Sequence, residues 1–324
     1  MISLDHLWLL VIALVLDALF GDPERIWQRL PHPVAIVGGL IGLLDRTLNV
    51  DALTAAWRKV AGIFTLVIVV ALAMLAGYGL ELGFRSLPFG WIGTAVAASL
   101  LIAGRSLYDH GLAGADAFAE GLPAARAAVS RIVGRDPGSL DQPRVCRAAI
   151  ESTAENFSDG VIAPAVWLLL LGLPGLFAYK AINTADSMIG HLTPRYEAFG
   201  WASARLDDLV NLPASRIAGF LVALAAPAAG GSIAQAVRVM FADAPPHSSP
   251  NAGWPEAAMA SALGIALAGP RRYAGIIVSD PFVNASGRRD ANPTDIRRAL
   301  RVYLVAHAVF LAIAAPGAVA VLWR

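Results

Sequence analysis

Residues 60–83, VAGIFTLVIVVALAMLAGYGLELG, decide the fold: twenty-four residues in which Glu81 is the sole charged side chain. A helix rises about 1.5 Å per residue, so roughly 20 apolar residues cross the hydrocarbon core of a bilayer. This run is long enough to do so. Working outward, residues 89–104 (FGWIGTAVAASLLIAG) follow a short turn, and residues 4–20 and 302–322 are similarly apolar. The reading is an all-α, polytopic helical membrane protein with firm spans at about 4–20, 60–83, 89–104 and 302–322.

Composition agrees. The chain of 324 residues is 57% hydrophobic and 15% charged, against roughly 45–50% and about 25% in soluble domains. With so little charge, much of the surface must face something other than water. A net charge of +1 provides no field for nucleic acid. The single cysteine, Cys146, excludes an internal disulfide and a cysteine-cluster metal site. The N-terminal run carries Asp5 and His6 where a cleaved signal peptide would be cationic, so it reads as a retained span.

Three further apolar runs, 161–178, 217–231 and 256–269, are ambiguous between spanning, re-entrant and buried helices. Arginine and lysine placement arbitrates, because cytoplasmic loops carry the excess. Segment 21–59 holds five, 105–160 six and 270–301 seven, whereas the 84–88 turn holds only Arg85. An outside N-terminus puts the first two rich segments inside; 270–301 joins them if none or two of the ambiguous runs cross. The expectation is therefore one membrane-embedded domain, 1–324, whose polar core of about 105–300 lies on the cytoplasmic side with re-entrant or embedded helices. Segment 105–150 has a helical pattern broken near Gly134–Gly138. No useful strand alternation, repeat or low-complexity linker is found. Asn292, Thr294 and Asp295 around Pro293 look like a helix start.

Four polar stretches lie close to these apolar runs. In Glu151-Ser-Thr-Ala-Glu155-Asn156-Phe-Ser158-Asp159-Gly160, helical spacing puts Glu151, Glu155 and Asp159 on one face. Like charges at i,i+4 repel, and a divalent cation or cationic partner would relieve them; a solvated acidic helix end is the plain alternative. In residues 178–191, apolar positions follow helical spacing and gather Lys180, Asn183, Thr184, Ser187 and His191 on the other face, with Asp186 at its edge. A solvated face would carry more Glu, Lys and Arg, whereas these are small hydrogen-bonding groups beside one of only two lysines in the chain. An ammonium suits a phosphate.

In Arg205-Leu-Asp207-Asp208-Leu-Val-Asn211-Leu-Pro213-Ala-Ser-Arg216, one helical turn offers three oxygen ligands. Mg²⁺ takes one or two carboxylates plus phosphate oxygens, and the flanking arginines could clamp phosphates. Ser249-Pro250-Asn251-Ala-Gly253-Trp254-Pro255-Glu256 reads mainly as a turn and helix start, although that leaves the ordered cluster unexplained. Gly21-Asp22-Pro23 with Pro31-His32-Pro33-Val34 is either a rigid exit turn or part of a site. No phosphate-binding GxxxxGK[ST], no GxGxxG after a strand, no HExxH and no GxSxG occurs.

These motifs, in this order over nearly the whole chain, resemble the CobD/CbiB family of adenosylcobinamide-phosphate synthases. The resemblance rests on GDP and PHPV within 21–34, ESTAENFSDGVIAP at 151–164, YKAINTADSMIGH at 179–191, FGWASARLDDLVNLPASR at 199–216 and SPNAGWPEAAMA at 249–260. It implies a late step of cobalamin (vitamin B12) biosynthesis in a bacterial inner membrane, with the active site towards the cytoplasm. The reaction implied is ATP-dependent ligation of adenosylcobyric acid to (R)-1-amino-2-propanol O-2-phosphate, with ATP and Mg²⁺ as cofactors. The partners implied are the corrinoid, the aminopropanol phosphate, the lipid bilayer and, by analogy, other late-pathway membrane proteins.

Chemistry then distributes candidate roles. Glu151, Glu155, Asp159 and His191 are the catalytic candidates. Asn156, Lys180, Asn183, Thr184, Ser187, Arg205, Arg216 and Asn251 are candidates for substrate or phosphate binding, and Asp186, Asp207, Asp208 and Asn211 for metal. Two alternatives come from other classes. A Mg-dependent membrane prenyl or CDP-alcohol transferase would show a second acidic motif or a longer Asp/Gly/Arg pattern. A non-enzymatic transporter would favour an internal inverted repeat.

Overall fold

The computed structural model describes residues 4–23, 27–133, 138, 140–269, 271–273, 276–278 and 281–322. These are almost wholly helical: α1 (Leu4–Phe20), α2 (Pro33–Leu48), α3 (Ala55–Arg85), α4 (Gly90–Ser99), α5 (Gly104–Asp116), α6 (Leu122–Val129), α7 (Gln142–Phe157), α8 (Ala163–Ile189), α9 (Trp201–Leu224), α10 (Ile233–Asp243), α11 (Gly253–Leu263) and α12 (Pro293–Leu322). Where no strand was expected, short antiparallel pairs form: β1 (Leu267–Ala268) with β4 (Phe282–Val283), and β2 (Arg271–Tyr273) with β3 (Ile276–Val278). Ladders of two or three residues are too short to show alternation in sequence. The expected break at 134–138 falls largely on 134–137, outside the described residues.

Four helical stretches are long and apolar enough to cross a membrane: Ala55–Arg85, Gly90–Glu120, Gln142–Ile189 and Pro293–Val319. The spans expected at 60–83, 89–104 and 302–322 fall on three of them, and α1 is a shorter apolar helix. Of the ambiguous runs, 161–178 lies within Gln142–Ile189. The other two are interrupted, because α9 ends at Leu224 before a 3₁₀ turn at Ala226–Ala229, and α11 ends at Leu263. One ambiguous run of the three thus has spanning length, where the arginine pattern suggested none or two.

Contacts divide the chain into two compact units. The first comprises residues 1–103, 163–211 and 317–324. Its core includes Ile41 of α2, Leu66, Val69 and Ala73 of α3, and Ala181, Ala185 and Ile189 of α8. Glycines let α3 approach its neighbours: a Cβ on Gly62 would lie 1.8 Å from the Phe199 carbonyl oxygen, and one on Gly77 2.7 Å from that of Leu173. Small residues at such crossings are how helices pack closely where lipid supplies no hydrophobic drive. Within α8 the helix breaks at Gly172 (φ 70°), just before Pro174. Glu81 Oε2 accepts the Leu173 N–H at 3.1 Å, satisfying a donor at the break.

The second unit comprises 104–162 and 212–316. Here α7 passes into a π turn at Ser158–Ile162; such turns widen a helix and are frequent at functional sites. At the start of α12, Asn292 Oδ1 accepts the Thr294 N–H at 2.9 Å, as the sequence suggested. Asp295 does more than begin a helix. It is buried and accepts from Arg288 at 2.9 and 3.0 Å and from Arg298 at 2.9 Å, so two guanidinium groups balance one carboxylate.

Candidate functional site

In the first unit, α8 and the start of α9 build a cluster of acids and amides. Asp207 is its centre. Asn211 Nδ2 donates to Asp207 Oδ2 at 2.9 Å, and Asn183 Nδ2 donates to Oδ1 at 3.4 Å. The Tyr179 hydroxyl donates to Asn211 Oδ1 at 2.9 Å, and Asn211 is fully buried. Burial, followed by the charge of Asp186, pushes Asp207 up to about 7 against the pull of its two amide partners. Asp208 is also raised by burial, opposed by Arg205, whose Nη1 lies 3.8 Å away. The Asp186 carboxylate lies over Gly190, where a Cβ would come within 1.9 Å of Oδ1. A Cβ there would also lie 2.7 Å from the Asp186 carbonyl oxygen, which side-chain motion cannot relieve.

These residues would suit only a divalent cation that needs few protein ligands. Among the described residues, no group of three or more His, Cys, Asp or Glu closes into a metal-holding set. Mg²⁺ asks for less, since one or two carboxylates suffice when water and phosphate oxygens complete its octahedron. Asp207 and Asp208 can supply those. Asn211, expected as a further oxygen ligand, instead turns its NH₂ to Asp207 and its carbonyl to Tyr179, so it orients the carboxylate from behind.

In the second unit, the end of α9 and the start of α11 build a cluster of opposite sign. Arg216 is half-buried and stacks over the Trp254 ring at 4.6 Å. Its Nη1 donates to Leu212 O (3.2 Å), Ser215 Oγ (2.9 Å) and Asn251 Oδ1 (3.1 Å). Burial lowers its pKa from the usual guanidinium value, and among the described residues no carboxylate counters that shift.

The model of the family described as CobD/Cbib protein matches residues 10–303. The chain belongs to the CobD/CbiB family. Similar family members, each called "Cobalamin biosynthesis protein CobD", come from Sinorhizobium fredii (51% identical, covering 93% of each chain), Rhizobium meliloti (49%, 95% of each) and Rhodobacter capsulatus (46%, 97% of this chain and 98% of the relative). No solved structure matches.

The remaining expected residues of this CobD/CbiB chain take varied places. Glu151 is buried, and its Oε1 accepts the Ala268 N–H at 2.8 Å, tying α7 to β1. Glu155 is exposed and Asp159 half-buried in the π turn, so the three acids do not continue a simple α-helical row. Asn156 Nδ2 donates to Ser152 O and Oγ, both at 2.9 Å. Thr184 and Ser187 hydroxyls bond back to Lys180 O (2.6 Å) and Asn183 O (2.9 Å) on their own helix. Arg205 and His191 are exposed.

Lys180 and Thr184 also line a cavity of about 300 Å³ whose other walls are apolar, among them Val37, Leu72, Ala73 and Phe177. His32 caps α2 by accepting the Val34 N–H at 3.1 Å, and it feels the charges of Asp22 and Lys180. Trp27 packs edge-on against His32 and donates to Asp22. Pro33 and Val34 of the PHPV motif line the same cavity as Lys180.

Sequence reasoning missed Tyr179, Trp254 and the pair His247–Glu256. Tyr179 precedes Lys180 directly, and its hydroxyl on a helix otherwise buried there was the available signal. His247 stands just ahead of the quoted Ser249 motif, and a histidine two residues before a turn serine gives no spacing by which to recognise it.

Proposed function

We propose that this protein is the ATP-dependent ligase of cobalamin biosynthesis that joins adenosylcobyric acid to (R)-1-amino-2-propanol O-2-phosphate, giving adenosylcobinamide phosphate. Family membership and the names of its relatives support the pathway. The observation that carries the chemistry is the buried, amide-held Asp207 with Asp186 and Asp208 as charged neighbours, a place where a divalent cation is favoured.

A carboxylate and an amine do not condense in water unaided. Transfer of the γ-phosphoryl group of ATP to a carboxylate oxygen releases ADP and leaves an acyl phosphate. The amine nitrogen then attacks the acyl carbon, inorganic phosphate leaves, and the nitrogen gives up a proton. Bound Mg²⁺ would supply neutralisation of the phosphoryl charge. In this reading Asp207 and Asp208 hold the ion, and Asn183, Asn211 and Tyr179 fix Asp207. Lys180 and Arg216 each neutralise phosphate oxygens, with Asn251 steadying Arg216 and Arg205 facing solvent beside Asp208. Glu155 or Asp159 accepts the amine proton. Glu151 holds β1, a supporting task. The location proposed is the bacterial inner membrane, with the site on the cytoplasmic side where ATP is available.

The test is direct. Detergent-purified protein, given adenosylcobyric acid, aminopropanol phosphate, ATP and Mg²⁺, is expected to yield the amide together with equimolar ADP and phosphate. Absence of amide with substrates shown competent in a known ligase overturns the reading.

A further inference from the structure

The guanidinium of Arg216 is engaged on one side only. All three of its hydrogen bonds leave from Nη1. Among the described residues, nothing bonds to Nε or Nη2 and no carboxylate pairs with the group. The Nε/Nη2 edge is the planar fork that matches two oxygens of a phosphate or carboxylate. The indole of Trp254 fixes the guanidinium plane at a cost in desolvation that a dianion would offset. Trp254 is itself set by Phe241, edge-on at 5.5 Å, and Phe241 by Phe220 at 5.9 Å.

What holds Asn251, the partner of Nη1, is a buried relay with no part in the roles above. Ser215 Oγ also donates to Asn251 Oδ1, at 3.1 Å. Ser249 Oγ accepts the Asn251 and Ala252 N–H groups at 3.2 and 3.1 Å, closing the turn. The Ser249 N–H in turn points at His247 Nδ1, 3.0 Å away. With Nδ1 accepting, the ring hydrogen sits on Nε2, which faces Glu256 Oε2 at 3.4 Å. That distance is long for a hydrogen bond, and Oε2 has no hydrogen-bonding partner among the described residues, so the contact is a ring N–H dipole aimed at a buried carboxylate oxygen. Both side chains are buried, at 7% and 4% exposure. The imidazole is pressed against the turn so closely that a Cβ on Gly253 would lie 2.6 Å from His247 Cβ. Five members of the Ser249–Glu256 motif thus have a task that a bare helix start would not give them: Ser249 caps, Asn251 grips Arg216, Gly253 makes room for His247, Trp254 stacks, and Glu256 faces the imidazole.

We propose that the Nε/Nη2 edge of Arg216 is a preorganised bidentate subsite for a phosphate-class oxyanion, and that His247 and Glu256 are positioning residues that hold it in register through the Ser249–Asn251 turn. Nδ1 of His247 faces the turn and Nε2 faces Glu256, an arrangement for positioning and not for carrying a proton to substrate. The inference rests on the phosphate-holding role given to Arg216 above, but its test does not need the ligation reaction.

Binding of inorganic pyrophosphate to the detergent-purified full chain is measured by titration calorimetry at pH 8, beside thermal unfolding. Arg216→Lys keeps the charge and loses the fork, and is expected to weaken binding at least about tenfold. His247→Asn keeps an acceptor for Ser249 and loses the Glu256 contact. His247→Gln does the reverse, and Glu256→Gln keeps the shape without the charge. Each is expected to weaken pyrophosphate about threefold to tenfold, and His247→Asn less than His247→Gln because it keeps the link to the turn. No measurable pyrophosphate binding, or an unchanged Kd in Arg216→Lys, overturns the subsite. Lowered melting temperatures with unchanged Kd in the His247 and Glu256 variants overturn the positioning role. Should His247 variants fail to fold, Glu256→Gln carries the same test. Pyrophosphate binding that depends on Arg216 in a protein that makes no amide would sink the ligase proposal and leave this one standing.

Discussion

The two polar clusters solve opposite problems with the same tools. In the first unit, amides from Asn183 and Asn211 surround a carboxylate that burial and Asp186 drive up to about 7. In the second, an amide from Asn251 and an indole hold a guanidinium with one open edge. The first is short of positive charge and the second of negative charge. A buried charge without a counter-ion is costly, so in the function proposed each cluster would favour a ligand of the opposite sign. The lesson is that the asparagines are alike in sequence, and only their acidic or basic neighbour distinguishes a cation site from an anion site.

The comparison can be broken most forcefully at Asp207. Asp207→Asn is expected to lower Mg²⁺-dependent turnover at least about 100-fold, near 2.7 kcal/mol, while pyrophosphate binding at Arg216 is unchanged. Equal loss of both would mean the clusters are not separable. Changing pH should have the next largest effect. Asp207 must lose a proton to hold a cation, so Mg²⁺ affinity is expected to fall about tenfold from pH 8 to pH 6. Sulfate, a dianion throughout that range, should bind to the always-charged Arg216 nearly equally at both.

The same shift has a stability consequence. The folded-state pKa of Asp207 lies above its ordinary 3.8, so between about 4 and 7 the folded chain holds the extra proton. Stability falls as pH rises through that window, and the penalty is complete above about 7. Calorimetric melting is expected to show Mg²⁺ raising the melting temperature more at pH 8 than at pH 6. Tyr179→Phe sharpens the comparison more gently. Loss of the hydroxyl behind Asn211 should weaken Mg²⁺ about tenfold and leave sulfate untouched. Smallest is Glu151→Gln. It retains an acceptor for Ala268 and should cost about 1 kcal/mol of unfolding free energy with Mg²⁺ and oxyanion affinities intact; a change in either would return Glu151 to the site.

Much of this was legible in the sequence because membrane helices announce themselves by length and because the polar motifs are dense. The run at 60–83 could be nothing but a long apolar helix, and Lys180, Asn183, Asp207 and Arg216 stand out as polar groups on apolar elements. What periodicity could not provide was direction. Asn211 reads as an oxygen ligand, and its carbonyl accepts from Tyr179; Glu151 reads as a catalytic acid, and its Oε1 accepts a backbone N–H. Helical spacing over Glu151, Glu155 and Asp159 also assumed one pitch, and the π turn at Ser158–Ile162 changes it. His247 escaped because its partners, Ser249 and Glu256, are joined to it by a turn and not by a helical repeat.

The break at Gly172 bears on how the chain is put together during synthesis. The Leu173 N–H finds its acceptor on Glu81, 92 positions earlier. A Cβ at Gly172 would come within 2.5 Å of that carboxylate and 3.1 Å of His6 Nε2. Lipid offers no water to meet that amide once the helix is broken, so the break is best met by a Glu81 already made. Translation order supplies this, since α3 is made first. Glu81→Leu would leave the later segment to straighten or to stall at insertion, turning a chemical defect into one of biogenesis, visible as premature degradation.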